Sequence, residues 1–488
     1  MRPTVFIGLL FMGAVLAAPG EGRSQPVPGA SCGPHDRTES VQGETTLAER
    51  FAPGPPHAYF CNVELVGQFE GEGSSADMRS FGNCAYYSTS QTQQTQHPGV
   101  AVLDISDPQH PRAASYLDSP VMLAAFESLE IAPATKLLIA STPPDSFELY
   151  DLSTDCRHPV LKTHVSFPSL FSHSGTFAPD GRTFYGAKWP PDPKTPPASA
   201  VFAIDTSNVS HPRLIATWVP PKTDWVPHGV GLTKDGTRAY VVMIRMQEDT
   251  ARVSDVNGLV VLDVSDVQAR RHNPIFRVVG TLFWGDTHVA QFALPVTVAG
   301  RPYVVVTDLA GTLPFDGSVP PTACSSGNPG HGFARIVDVS DAAHPTTASK
   351  LTLEVDEPAN CLKVMHDPIL PFGYGSYGCS VDHEENARLL ACGYWEGGLR
   401  VFDIHDPHHP REVGYYKPPA RRAQSRPGSI FPILQTGSQS ARDHTADPVI
   451  FPKFRANGDI WFNSADNGFQ VVRFTERFKT FHPELFRN

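Results

Sequence analysis

Six times along the chain an alternating apolar strand ends in aspartate, passes through a short polar turn and runs into His-Pro or Asn-Pro. The copies read GVAVLDISDPQHP (99–111), FELYDLSTDCRHP (147–159), AVFAIDTSNVSHP (200–212), GLVVLDVSDVQARRHNP (258–274), FARIVDVSDAAHP (333–345) and GLRVFDIHDPHHP (398–410). Period-two alternation of β-branched and aromatic residues is strand chemistry. The aspartate, and the Ser or Asp after it, carry side chains that bond nearby backbone N–H groups and so nucleate a turn. A unit this short cannot bury both faces of its strands alone, so its copies must stack.

Each copy is followed by a further strand, as in PRAASYL, PRLIATWV and PREVGYY, and preceded by two strands joined at turns such as APDGR, TKDGT and RANGD. The unit is therefore four antiparallel strands, a to d, with the aspartate at the end of strand c. GFQVVRF (468–474) reads as a seventh strand c without its turn. Seven such units predict an all-β fold, a seven-bladed β-propeller with four-stranded antiparallel blades. The chain lacks a good strand d after Phe474, and NVELVGQFE (62–70) reads as an orphan strand d. That N-terminal strand is expected to pair with the last blade, closing the ring and removing exposed edges. The predicted organisation is a signal peptide at 1–17, a partly irregular extension at 18–61, the propeller at 62–475 and a tail at 476–488.

The motifs GVAVLDISDP, GLVVLDVSD and GLRVFDIHDP resemble those of the LVIVD-repeat propeller family of exported bacterial proteins, over roughly residues 62–475. The resemblance implies the fold. It implies no activity, because the family has no single established one.

The N-terminus reads MRPTVFIGLLFMGAVLAAPGEG, with a basic Arg2, an apolar stretch from Val5 to Leu16 and small residues suited to cleavage around Ala17. This is the layout of a secretory signal, too short for a membrane anchor. The expectation is an exported chain, periplasmic or extracellular, with no transmembrane span in its mature form. Eight cysteines, none in a CxxC pair, suit disulfides in such a compartment. Cys32 with Cys61, and Cys361 with Cys379 or Cys324, are the candidate bridges. The net charge of −11, from 39 basic and 50 acidic residues, argues against nucleic acid as a partner.

In such a blade the d–a and b–c connections share one face of the disc, and the a–b and c–d turns share the other. The second set is tight. The long segments are 88–98, 188–199, 244–257 and 309–332 between b and c, and 355–378 and 417–443 between d and a. Their clustering predicts one working face, where a small molecule or a protein partner would bind. YWEGG (394–398) places Glu396 and aromatics on that face.

Aligning blades on the a–b turn brings Glu127, His173, His228 and Cys379 to one place, the start of strand a. His288 and His444 fall near the same place in blades five and seven, beside Asp286 and Asp443. Imidazole, carboxylate and thiolate are transition-metal ligands, and a ring of inner strands brings distant residues to one channel mouth. The six are candidate ligands for copper or zinc. The plain alternative is that wet propeller channels carry polar residues without function. His366 and His383 are weaker candidates. The His-Pro histidines, His110, His158, His211, His344 and His409, sit on the opposite face and are expected to be turn residues. No G-x-S-x-G, HExxH, P-loop or Rossmann fingerprint is present. Two functions follow as expectations: a binding module acting through the long-loop face, or a metal-dependent propeller enzyme, oxidase or hydrolase, with a His-rich site at the channel mouth.

Overall fold

The computed structural model describes residues 25–44, 57–89, 95–188, 199–222, 225–244, 257–311, 327–360, 373–419, 426–430 and 449–486. The signal-like segment 1–17, part of each long b–c segment and much of both long d–a segments lie outside them. So do Cys324, Cys361, His366, Asp443 and His444.

Seven antiparallel sheets carry the architecture. Their first strands are Met78–Phe81, Glu130–Ala132, Ser174–Phe177, Val226–Leu232, His288–Val298, Cys379–Val381 and Val449–Phe454. Each of these touches the first strand of the next sheet, and the last touches the first. They are therefore the inner strands of a ring, and the chain folds as the expected seven-bladed propeller. The seventh blade joins three C-terminal strands to the N-terminal strand Val63–Phe69, which pairs antiparallel with Gly468–Phe474. Blade six gains a fifth strand, Tyr59–Cys61, along Arg411–Lys417.

The alternation of strand c explains the packing. In Val100–Asp104, Val100 and Val102 enter the core shared with blade two, while Ala101 and Leu103 enter the core shared with blade seven. Val201 and Ala203 likewise face blade four, and Phe202 and Ile204 face blade two. Both faces of each strand are buried, so these runs are continuously apolar rather than alternately polar. The hydrophobic core is accordingly divided into seven clusters, one at each junction between neighbouring blades. Each fully buried Val, Leu or Phe contributes about 1.5–3 kcal/mol to its junction.

The repeated aspartates end strand c as the sequence requires. Oδ1 of Asp104, Asp151, Asp205, Asp263, Asp338 and Asp403 accepts from the backbone N–H two residues on, at 2.8–3.1 Å. A second acceptor follows three or four residues later. Asp107, Asp155, Asp341 and Asp406 each accept from the imidazole Nδ1 of the His-Pro histidine three residues on, at 2.8–3.0 Å. His110, His158, His344 and His409 are thus turn residues, as expected. In blade three Asn208 takes the aspartate's place before His211.

The described parts of the N-terminal extension, 25–44 and 57–61, pack against blade six. Disulfide Cys32–Cys61 forms as expected. Glu39 grips the buried Arg400 guanidinium through both oxygens, at 2.6 and 2.7 Å, and Arg400 also meets Glu412 at 3.0 Å. Taking these charges out of water is costly, and the bidentate geometry with its added hydrogen bonds offsets that cost. The tail is also structured: Thr475 caps a short helix, Glu476–Phe481, and Phe478 stacks on Phe474 with ring centroids 5.0 Å apart. Cys84–Cys156 ties blade one to the c–d turn of blade two. No described helix is long and apolar enough to cross a membrane.

Asp104 is 4% exposed, and its carboxyl is held below the usual range, first by the Ser106 hydroxyl and then by the Ser106 N–H and Arg112, against the opposing effect of burial. A carboxylate with a depressed folded pKa contributes stability above its unfolded pKa and loses it as pH falls through the folded one. Asp104→Ala is expected to cost about 1–3 kcal/mol at pH 7 in urea unfolding. The gap should begin to narrow as pH falls below about 4, the unfolded value, and close only below the depressed folded one.

Candidate functional site

Three of the expected donors meet. Glu127 lies just before the inner strand of blade two, His173 immediately before that of blade three, and His228 within that of blade four. Glu127 Oε2 stands 3.1 Å from His173 Nε2 and 3.4 Å from His228 Nε2. One ligand atom from each residue lies within 4.8 Å of the other two. The side chains of Glu127, His173 and His228 are 7, 11 and 2% exposed, which places the cluster away from bulk water.

Local sequence fixes this geometry. In VPHGVGL the pairing with the second strand slips between Pro227 and Val230, a bulge that frees His228 and Gly229. Bulges re-aim side chains in this way. A Cβ built at Gly229 would collide with the carbonyl oxygen of Gln291, so glycine allows blade five to approach. That carbonyl accepts a hydrogen bond from His228 Nδ1 at 3.0 Å. A run of serines joins the three blades. Ser128 Oγ donates to Ser141 O, Ser141 Oγ accepts from Ser172 N, and Ser174 Oγ donates to His228 O.

The Nδ1 bond sets the tautomer of His228. A carbonyl only accepts, so Nδ1 carries the proton, and the neutral ring turns the Nε2 lone pair toward Glu127. Burial pushes the His228 imidazole down to about 4, with Glu127 pulling the other way. Burial drives Glu127 upward, but His173, His228 and a hydrogen bond from the Tyr377 hydroxyl together outweigh that and hold the carboxyl below its usual range. At neutral pH the site therefore sets a carboxylate oxygen against an imidazole lone pair.

The other expected donors do not join. Cys379 forms a disulfide with Cys392, its register partner on the neighbouring strand, so its sulfur is not a ligand. This also corrects the candidate bridge between Cys361 and Cys379. His288 begins the inner strand of blade five but stays outside the cluster. The strand is long and bulged between Ala290 and Ala293, and Val289 adopts a left-handed φ of 63°. Counting back from the a–b turn therefore misses the position facing His228, which Gln291 and Phe292 fill. His444 lies outside the described residues. His383 is exposed in the a–b turn of blade six.

The far side of the cluster is aromatic. Phe292, Tyr377 and Phe451, from blades five, six and seven, meet edge to face with centroids 5.2–6.4 Å apart, and Phe292 also meets His228 at 6.1 Å. Phe126 lies 5.8 Å from His173. Blade one adds Arg79, whose guanidinium sits 4.6 Å over the Phe451 ring, bonded to Asp77 and, at 3.1 Å, to Glu130. The attraction of Asp77 and Glu130 outweighs burial and keeps Arg79 cationic.

Residues 241–268 match the LVIVD repeat model, within blade four of a seven-bladed ring. The repeat match and the seven-bladed ring are consistent with an LVIVD-repeat propeller. No curated protein matches it. Among solved structures, the propeller is similar to the Cps50 (Swd1) β-propeller domain of Myceliophteria thermophila, at 11% identity and TM-score 0.50, over 85% of this chain and 100% of that one. Kuenenia stuttgartiensis hydrazine synthase aligns at 13% identity and TM-score 0.48, over 84% of this chain and 97% of that one. At these identities the likeness is one of fold.

Reading this propeller from sequence missed Gln291, Tyr377 and the Asp77–Arg79 pair. Arg79 carried a signal, as a charge inside a short strand next to the apolar blade. Gln291 carried none, because its contribution is a backbone carbonyl.

Two outcomes are expected. Gly229→Ala forces a methyl against the Gln291 carbonyl and should lower stability by about 1–3 kcal/mol in urea unfolding. His288 has its imidazole pushed down to about 4 by burial. A histidine held neutral stabilises above its unfolded pKa, and that stability fades as pH falls from about 6.5 toward the folded value. Its ring is partly exposed, so solvent screening trims the effect to about 1 kcal/mol between pH 7 and pH 5. His288→Gln should remove that part of the pH slope, measured by urea titration at both pH values.

Proposed function

We propose that this propeller is an exported protein holding a divalent transition metal, zinc or copper, at the long-loop mouth of its channel, and using it on a small molecule. The observation that carries the reading is the meeting of Glu127 Oε2 with two imidazole nitrogens, at 3.1 and 3.4 Å, while His228 is fixed in the tautomer that presents a lone pair. Two acceptors facing one another in a buried site repel, and a cation between them turns the repulsion into ligation.

The donor set supports a metal on two further grounds. Ligands about 2.0–2.2 Å from one ion stand about 3.0 Å apart at right angles and about 3.4 Å apart at the tetrahedral angle, and the two contacts span this range. A metal-binding histidine ordinarily donates its second nitrogen to a carbonyl or carboxylate, as His228 does to Gln291. Two imidazoles and one carboxylate leave coordination positions open, the arrangement of catalytic rather than structural sites. A metal bound there would polarise a carbonyl oxygen or lower the pKa of a bound water.

The chain's own residues do the rest. Glu127 supplies the negative charge, and the Gln291 carbonyl holds His228 in orientation. The serine bonds fix blades two, three and four relative to one another. Phe126 and Phe292 keep water from the far side of the imidazoles, which strengthens every charge interaction inside. A ligand would reach the site from the face where the long connections lie, so the binding-surface and metal-centre expectations describe one site. Export is supported by the disulfides Cys32–Cys61, Cys84–Cys156 and Cys379–Cys392, which suit an oxidising compartment.

Elemental analysis of untagged protein after incubation with zinc or copper, followed by gel filtration, is the test. The expected result is about one equivalent per chain in the wild type, lost in the His173→Ala, His228→Ala double variant with its circular dichroism unchanged. Metal retained by the double variant would assign it to exposed histidines such as His408 and His409 instead. A folded wild type without metal would overturn the reading.

A further inference from the structure

Lys453 lies on the inner strand of blade seven, Val449–Phe454, two residues past Phe451. The Phe451 ring carries two cations: the Arg79 guanidinium of blade one, 4.6 Å from its centroid, and the Lys453 side-chain nitrogen at 6.0 Å. Arg79 is answered by acids, since its Nη1 donates to Asp77 and its Nε donates to Glu130 at 3.1 Å. Lys453 is not. Among the described residues no carboxylate comes within ion-pair reach, 4.0 Å, of its Nζ.

A lysine that only stabilised this wall would stand opposite a carboxylate. Here the two carboxylates of blades one and two are bonded to Arg79, and Lys453 stands beside the guanidinium instead. The residue is half-buried, so small solutes in the channel reach it while protein encloses its other sides. Burial, and after it Arg79, push the amine down from the ordinary lysine range. Glu130 of blade two, Glu384 of the blade-six turn and Asp77 of blade one pull the other way and do not restore it. An amine that is desolvated and set next to another cation gives up its proton more readily, and only the unprotonated amine has a lone pair with which to react. Lysine is the side chain that responds to burial in this way, whereas arginine stays charged.

We propose that Lys453 is a nucleophilic amine that captures small aldehydes and ketones as imines inside the channel. The Nζ lone pair attacks the carbonyl carbon, the carbonyl π pair moves to oxygen, and a proton passes from nitrogen to that oxygen, giving a carbinolamine. The nitrogen lone pair then forms the C=N bond as the hydroxyl leaves, and the second proton lost from nitrogen completes a molecule of water. Amine and carbonyl compound give imine and water, with no oxidant, reductant or metal. The Asp77–Arg79–Glu130 group is paired within itself, so the compounds favoured are uncharged and rest an apolar substituent against Phe451. Lys453 is not one of the Glu127, His173 and His228 donors, and the inference does not rest on the metal reading.

The test incubates the full chain with propanal and cyanoborohydride, with a chelator present so that no metal takes part, and follows each lysine by peptide mass spectrometry. Cyanoborohydride delivers hydride to the imine and fixes it as a secondary amine. At about pH 7, Lys453 is expected to be propylated about ten-fold faster than the exposed Lys136 and Lys222 of the same chain. That ratio should shrink toward one at about pH 10.5, where an ordinary solvent-exposed lysine also offers a neutral amine. It should disappear in urea, because the fold makes the environment. An equal or slower rate for Lys453 at pH 7 overturns the proposal. A ratio of the same size at both pH values also overturns it, by tracing the labelling to aldehyde gathered on Phe451 rather than to a free amine. A ratio that survives unfolding overturns it as well, by tracing the reactivity to local sequence.

Discussion

A strand that is apolar on both faces needs a neighbour on each side. That requirement shapes this molecule. Strand c of each blade sends alternate side chains into two different cores, as Val100 and Val102 do on one side and Ala101 and Leu103 on the other. No blade can satisfy both faces by itself, and a row of blades would leave its two outermost faces in water. A ring leaves none. The same twisted stacking that serves the cores turns the first strand of every blade inward, and so brings residues from distant parts of the chain to a common axis.

What happens at that axis is governed by the cost of burying charge. Glu127 is nearly inaccessible, and an ionised carboxylate in such surroundings requires compensation. The groups that meet it come from other blades: imidazoles from blades three and four, the second held in place by the Gln291 carbonyl of blade five, and the Tyr377 hydroxyl of blade six, which donates a hydrogen bond. The site is thus an inter-blade object, and its precision depends on close approach of backbones. Gly229 and the serine chain from Ser128 to Ser174 provide that approach.

The sequence made the fold legible because the repeat is written in local chemistry. The aspartate that ends strand c, its turn and the His-Pro step recur with the same contacts, so counting them counts blades. Glu127, His173 and His228 were legible for the same reason: their inner strands keep a constant distance from the a–b turn. His288 was misplaced where that distance changes, since a bulge and a left-handed Val289 lengthen blade five. Cys379 was misassigned because its partner is set by strand register, and Cys392 becomes its neighbour only once the blade is folded. Tyr377 lay outside the count altogether, two residues upstream of the strand that would have drawn attention to it.

The turn face carries a different consequence. Asp107–His110, Asp155–His158, Asp341–His344 and Asp406–His409 form the same exposed pair at 2.8–3.0 Å in blades one, two, five and six. A molecule laid on that face meets nearly the same surface after rotation from one such blade to another. Several poses would then have similar energies, and none would be singled out. Rotational near-degeneracy of this kind makes the turn side a poor place to encode a unique partner. The opposite side, where Glu127, His173, His228, Phe292, Tyr377 and Phe451 differ from blade to blade, is where the disc loses its symmetry and can tell one orientation from another.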